Sequence, residues 1–502
     1  MRFAHFALVS PKDSIMRKRF EQQFTLGQRP IEDLPISGKQ TGKLIELIAA
    51  LKTIYCTPEY NKKIFSVLEG HLMRNKKKTG RQGMDLWSIF VLSQVRLCLN
   101  TSYESLLDIA NNHFSIRWLM GVDTEFNLNR VEYKYQNIYD NVTLVTDEIV
   151  KEINAIVVEF GHSEVFKKKE TEALCLKTDS FVVESNVHFP TDYNLLWDCA
   201  RKCTDVIIKY LDKHEGIKGW RKIKNWRTEL KGLMRELGKA SSSGGKGKEQ
   251  RVKKAAHKYI TKALLLYSKL EKELPGLPIE DMKDLGLAMT LEYYMELLNK
   301  HIDLVQRRIL KGETIPHEEK MFSIFETYTE WVKKGKSRPN VELGKKLSIT
   351  TDQYNLIVDY QIMNEEQDRD IVISIADRLL TKYNIKSWSF DKGFWKKENK
   401  ELLQLQVPQV VMPKLGKLNA QEEVEERSRP FKKLKNKHSA IESNINELEH
   451  RGLDRCPDRS LNNYRRYISL GVCAYNLKKI GAAILKKQKE LDFKKVSFKP
   501  AA

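Results

Sequence analysis

The stretch LCLKTDSFVVESNVHFPTD, residues 174–192, decides how the chain is read. Apolar and β-branched residues alternate with polar ones over 172–188, the pattern of a half-buried strand. Asp179 interrupts that pattern, and Glu184 and Asp192 follow it closely. Asp is a poor strand former. The same break occurs in KSWSFDKGF (386–394), where a short strand ends at Asp391. In an open α/β sheet, strand ends are where sites assemble.

Working outward, KKLSITTDQYNLIVDYQI (345–362) reads as a hairpin turning near Asp352–Asn355. DRDIVISIADRLLTKY carries apolar residues at 371, 375, 379 and 383, a helical stripe. QVVMP (409–413) is a further short strand, so this part alternates strand and helix and predicts an α/β sheet. Between the first strand and the hairpin lies a long basic helical insertion, roughly 191–315, with a Gly/Ser/Lys loop at ASSSGGKGKEQRVKK. Its Trp197, Trp220 and Trp226 sit among lysines. They read either as core or as stacking platforms for a splayed base.

Residues 1–165 read as a helical domain. A basic cluster (Arg74, Lys76, Lys77, Lys78, Arg81) precedes GMDLWSIFVLSQVRLCL, and SYESLLDIANNH follows after a tight turn. Two such helices suit either a helix-turn-helix DNA reader or a plain helical pair in a bundle. The last segment, 486–502, is a basic tail.

The chain has 502 residues, enough for about three domains. Its 87 Lys and Arg against 66 Asp and Glu give a net charge of +21, which favours a polyanionic partner, nucleic acid first. The seven Cys (56, 98, 175, 199, 203, 456, 473) include no CxxC, and Cys199 and Cys203 have no nearby Cys/His pair to complete a zinc site. Free thiols of a reducing cytoplasm are expected. No run of 18 apolar residues exists, so no membrane span is expected, and the start, MRFAHFALVSPKD, does not read as a signal peptide.

A third carboxylate stands on the helix predicted for KHSAIESNINELEHRGL (437–453). Ile441, Ile445 and Leu448 face the core at i, i+4, i+7, and Glu442 sits at the edge of that stripe with His438 one turn before it. Taken singly, Asp179 and Asp391 read as turn residues and Glu442 as a solvated helix residue. Brought together, three carboxylates would repel one another without cations. Oxygen-only donors suit Mg²⁺, and two such ions clamp the attacking and leaving oxygens of a phosphodiester displacement.

TDSFVVESNVHFPTD (178–192), WVKKGKSRPNVELG (331–344), SFDKGF (389–394) and HSAIESNINELEHRGLDRCPD (438–458) resemble a DDE transposase of a bacterial insertion sequence, most closely the branch called "not classified yet" (ISNCY). TGRQGMDLWSIFVLSQVRL (79–97) and SLGVCAYNLKKIG (469–481) match as well. The resemblance implies an RNase H-like mixed sheet at 166–485, interrupted by the insertion and preceded by the N-terminal DNA-binding or oligomerisation domain. It implies a catalytic, metal-binding triad of Asp179, Asp391 and Glu442, two Mg²⁺ ions with Mn²⁺ as a substitute, and no covalent protein–DNA intermediate. The Tyr-Arg-Glu-Lys signature of related transposases is not kept: His438 stands four before Glu442 and Glu449 seven after.

The partners implied are double-stranded DNA, as inverted-repeat ends and target, and a second copy of the chain, in the bacterial cytoplasm at the nucleoid. Lys334, Lys336, Arg338, His438 and Arg455 are the candidate DNA contacts, and Glu184 and Asp192 the reserve metal ligands. Two alternatives share these residues: an RNase H-like nuclease that never joins, and a non-catalytic basic DNA-binding protein.

Overall fold

The computed structural model describes residues 29–36, 42–73, 83–122, 130–215, 217–333 and 340–497. The basic cluster at 74–81 lies outside them. The chain divides into two units, Met1–Asn186 with Val332–Ala502, and Val187–Trp331.

The first unit opens with α1 (Ile45–Tyr55), α2 (Pro58–Leu72), α3 (Leu86–Leu99), α4 (Tyr103–Asn112), α5 (Phe114–Leu119), α6 (Tyr135–Val142) and α7 (Asp147–Phe160). The strand β1 (Leu174–Glu184) follows. The second unit holds α8 (Asp192–Lys213), α9 (Ile223–Ser242), α10 (Lys248–Glu273) and α11 (Met282–Val305). β2 (Glu330–Lys333) leads back to β3 (Val341–Thr351), β4 (Ile357–Ile362), α12 (Val372–Leu380), β5 (Ile385–Phe390), α13 (Lys397–Gln404) and β6 (Gln409–Val411). The chain closes with α14 (Ala420–Arg427), α15 (Arg429–Leu448) and α16 (Leu461–Ser497).

The fold is mixed α/β with one open, mixed sheet of six strands among the described residues. Its order is β2-β3-β1-β5-β6, with β4 also on β3. β1 pairs antiparallel with β3 and parallel with β5; β3–β4 is antiparallel and β5–β6 parallel. The hairpin turns where the sequence places it, and Asn355 takes the left-handed backbone the turn needs (φ 61°). In β5 large and small residues alternate. Trp388 and Phe390 join Leu174 and Leu176 in a core with Ile375 and Leu379 of α12 and Leu403 of α13. Ser387 and Ser389, between them, are small enough for α15 to lie close, and α15 packs on β1, β5 and β6.

α16 is the one described helix long and apolar enough to cross a membrane (Leu461–Lys494), and 72% of its apolar window is buried within the protein. It packs against α1, α3 and α7, so the N-terminal helices share a unit with the sheet. Gly481 permits the α1 crossing: a Cβ there would fall 1.7 Å from the Glu46 carbonyl oxygen. A second tie is the Asp458 carboxylate, which accepts two bonds from the Arg96 guanidinium, at 2.6 and 3.0 Å.

α3 is buried along nearly its whole length, and the exposed side of α4 carries Glu104 and Asp108. Acidic side chains on that exposed side would repel a phosphate backbone.

In the second unit, α8 packs on α9 and α11, and α10 on α9 and α11, around Leu196, Ile207, Tyr259, Leu266 and Leu298. Trp197 and Trp220 are buried in that core and Trp226 packs against it, which corrects the stacking-platform alternative. The Gly/Ser/Lys loop is shorter than its composition suggests: α9 runs to Ser242 and α10 starts at Lys248.

Candidate active site

Asp179 lies in the middle of β1, opposite Ile349 of β3. On its other side the parallel register pairs Thr178 with Phe390. The next residues on the two chains are Asp179 and Asp391, so these carboxylates come side by side where β5 ends. Neighbouring strands are about 4.8 Å apart. Asp391 is exposed and caps a single 3₁₀ turn, Lys392–Phe394. Trp388 anchors the paired strands from the core face by donating its indole N–H to the Thr178 hydroxyl at 2.8 Å.

Glu442 projects from the exposed side of α15 while Ile441 and Ile445 are buried beneath it. Its charge reaches Asp179. Burial pushes the Asp179 carboxyl up to about 7; the Ser180 N–H opposes this, and the charges of Asp391, Asp368 and Glu442 add to it. The three carboxylates expected to act together are thus coupled electrostatically across β1, β5 and α15.

Asp368 is the residue that sequence reasoning missed. It begins the 3₁₀ turn Asp368–Asp370 between β4 and α12. Its carboxylate accepts from the Ser180 hydroxyl at 2.7 Å and from Lys346 Nζ of β3 at 3.1 Å. Gly393 of the DKGF turn lies against it: a Cβ there would be 3.0 Å from Asp368 Oδ2. The only signal in the sequence was the acidic DRD at the start of a helix, where Asp is ordinary.

His438, expected at a DNA surface, is buried instead. Its Nδ1 is 3.0 Å from the Ser389 hydroxyl, and its Nε2 has no partner among the described residues. Burial lowers its pKa, against the pull of Asp391. A small Ser on β5 opposite the helix leaves room for the imidazole, which explains the inward turn.

Arg455 is exposed and bridges Glu184 through the backbone at the end of β1. Glu184 is five positions beyond Asp179, about 17 Å along an extended strand. Glu184 therefore stands away from the cluster and is no reserve ligand for it. Asp192 opens α8 in the other unit, where it pairs with Arg308 at 2.5 Å. Lys334, Lys336 and Arg338 lie outside the described residues.

The donor set suits a hard divalent cation, since every candidate atom is a carboxylate oxygen. As the side chains stand, no three His, Cys, Asp or Glu among the described residues converge on one metal position. Asp391 and Glu442 are both exposed, and closing on a cation requires their side chains to turn about staggered torsions. All seven cysteines are free, and none adds a thiolate to this site. No protein-family model matches the chain, and no characterised protein or solved structure does.

Proposed function

We propose that the chain is a DDE-type transposase, cutting DNA at the ends of an insertion sequence and joining the freed 3′-hydroxyl to target DNA. The observation that carries this reading is the β1–β5 register, which sets Asp179 beside Asp391. The strand order adds support. β1 has antiparallel β3 and then β4 on one side, and parallel β5 and then β6 on the other, so the two aspartates stand on the central strands of a mixed sheet.

Asp179, Asp391 and Glu442 would hold Mg²⁺, or Mn²⁺ in its place. When bound, such ions neutralise phosphate charge and activate the attacking hydroxyl. The rest is the work of the chain. β1 and β5 fix two carboxylates on paired backbones, and α15 presents the third on a helix braced by Ile441 and Ile445. Lys346 and Ser180 hold Asp368 beside them as a positioning residue. Asp179, whose carboxyl burial pushes up to about 7, is the group whose charged form a cation would favour. Binding at two element ends calls for a dimer or larger assembly on duplex DNA, acting in the bacterial cytoplasm.

The test uses purified protein, Mg²⁺ and a supercoiled plasmid carrying the gene with its flanking DNA, with Asp391→Asn alongside. New 3′ ends at the edges of an inverted repeat, joined to target and absent with the variant, support the reading. Cuts without joining indicate the nuclease; no cuts despite tight binding to the flanks indicate the non-catalytic binder.

A further inference from the structure

The first turns of α15 close over the starts of β5 and β6 and leave a groove of about 960 Å³. Lys386, Arg427, Arg429, Lys432, Lys433 and Lys437 line it, and no carboxylate does. Arg427 is paired with Glu423 at 2.5 Å. The other five have no ion-pair partner among the described residues, and all five are exposed. What sets the groove apart is that its lining gathers six cations with no carboxylate among them, whereas nearby Lys400 and Lys414 are each neutralised, by Glu425 and Glu422.

The helix positions 429, 432, 433 and 437 follow i, i+3, i+4, i+8, so four cations share one face. Like charges so arranged destabilise the helix by a few tenths of a kcal/mol per pair unless an anion offsets them. A single small anion needs donors converging on a point. These are spread over about 12 Å of helix axis, which suits a row of phosphates.

We propose that this groove holds the phosphate backbone of duplex DNA. Lys437 and Arg429 precede Glu442 on the same helix by about 7 and 20 Å along its axis. At about 3.4 Å per base-pair step, the gripped phosphates lie roughly two to six steps from the one at the carboxylates. That distance rests on the transposase reading; the binding does not. Such contacts position the duplex without reading its sequence.

The test is fluorescence anisotropy of the full-length protein with a labelled 30-base-pair duplex of arbitrary sequence, in EDTA, across a KCl series. EDTA separates it from catalysis, whatever the reaction proves to be. The variant carries Arg429→Gln, Lys432→Gln, Lys433→Gln and Lys437→Gln. A control of equal charge carries Lys231→Gln, Arg235→Gln, Lys239→Gln and Lys246→Gln, all in the other unit and none of them lining the groove.

The groove variant should lose at least about tenfold in affinity at 150 mM KCl, and its log–log salt slope should fall by about 3.6, near 0.9 for each phosphate no longer neutralised. The control slope should change by less than about 1. If the quadruple variant melts earlier than wild type, Lys432→Gln with Lys433→Gln replaces it, with a slope change of about 1.5–2. An unchanged slope in the groove variant overturns the proposal, and so does an equal loss in the control. So does poly-glutamate competing as well as duplex of equal charge, which would assign the groove to an acidic peptide.

Discussion

Asp179 sits where a side chain of its type is least comfortable, half-buried in a strand beside three other carboxylates, and its carboxyl is raised to about 7. A carboxyl whose folded pKa exceeds its unfolded value binds more protons in the native state between the two. Its contribution is therefore present at low pH and lost as pH rises through about 4 to 7. Replacing Asp179 with Asn should stabilise the protein at pH 8 by on the order of 1–4 kcal/mol and change little at pH 3.5. Thermal melting at the two pH values checks this. Asp368→Asn removes one of the charges that raise Asp179, so the same melting profile should move to lower pH. With DNA and Mg²⁺ it should slow cutting by about 10–100-fold, as loss of a positioning group does; a purely structural role would leave the pH profile in place. Asp179 and Asp391 were legible because Asp breaks strand patterns. Asp368 was not, because an Asp opening a helix has a local explanation and its partners Ser180 and Lys346 are distant in sequence.

At the scale of elements, the strands are set by alternation and the helices by their apolar stripes, and these were readable along the chain. The pairing of β1 with β5 was not, since parallel register depends on contacts across the insertion. Nor was the inward turn of His438, which depends on Ser389 being small. Ser389→Leu would overfill the space under α15 and should cost about 1–3 kcal/mol. It should also lower cutting more than that loss of stability explains, because α15 carries Glu442; melting and single-turnover cutting on the same variant separate the two. The Arg96–Asp458 pair works at this scale too. Both side chains are nearly buried, at 4% and 12% exposure, so Asp458→Ala leaves the guanidinium uncompensated and should cost about 3–5 kcal/mol. Nothing in the sequence linked residues 96 and 458, although both fall in motifs that carry the resemblance.

At the scale of the molecule, composition spoke for a polyanionic partner but not for where it binds. The charge of +21 is spread through both units, and the groove at α15 emerged only once the sheet placed Lys386 beside the helix. Two units with separate cores should unfold in two steps. Calorimetry should show two transitions, with Asp458→Ala lowering only the one that belongs to the unit holding the sheet; a single transition lowered as a whole would show that the units unfold together. The central claim is that Asp179, Asp391 and Glu442 act as one cation site. Titration calorimetry with Mn²⁺, in the absence of DNA, tests it on wild type, Asp391→Asn and Glu442→Gln. The account predicts a site that either substitution weakens at least tenfold, a loss of about 1.4 kcal/mol or more. Unchanged Mn²⁺ affinity in both variants would contradict it.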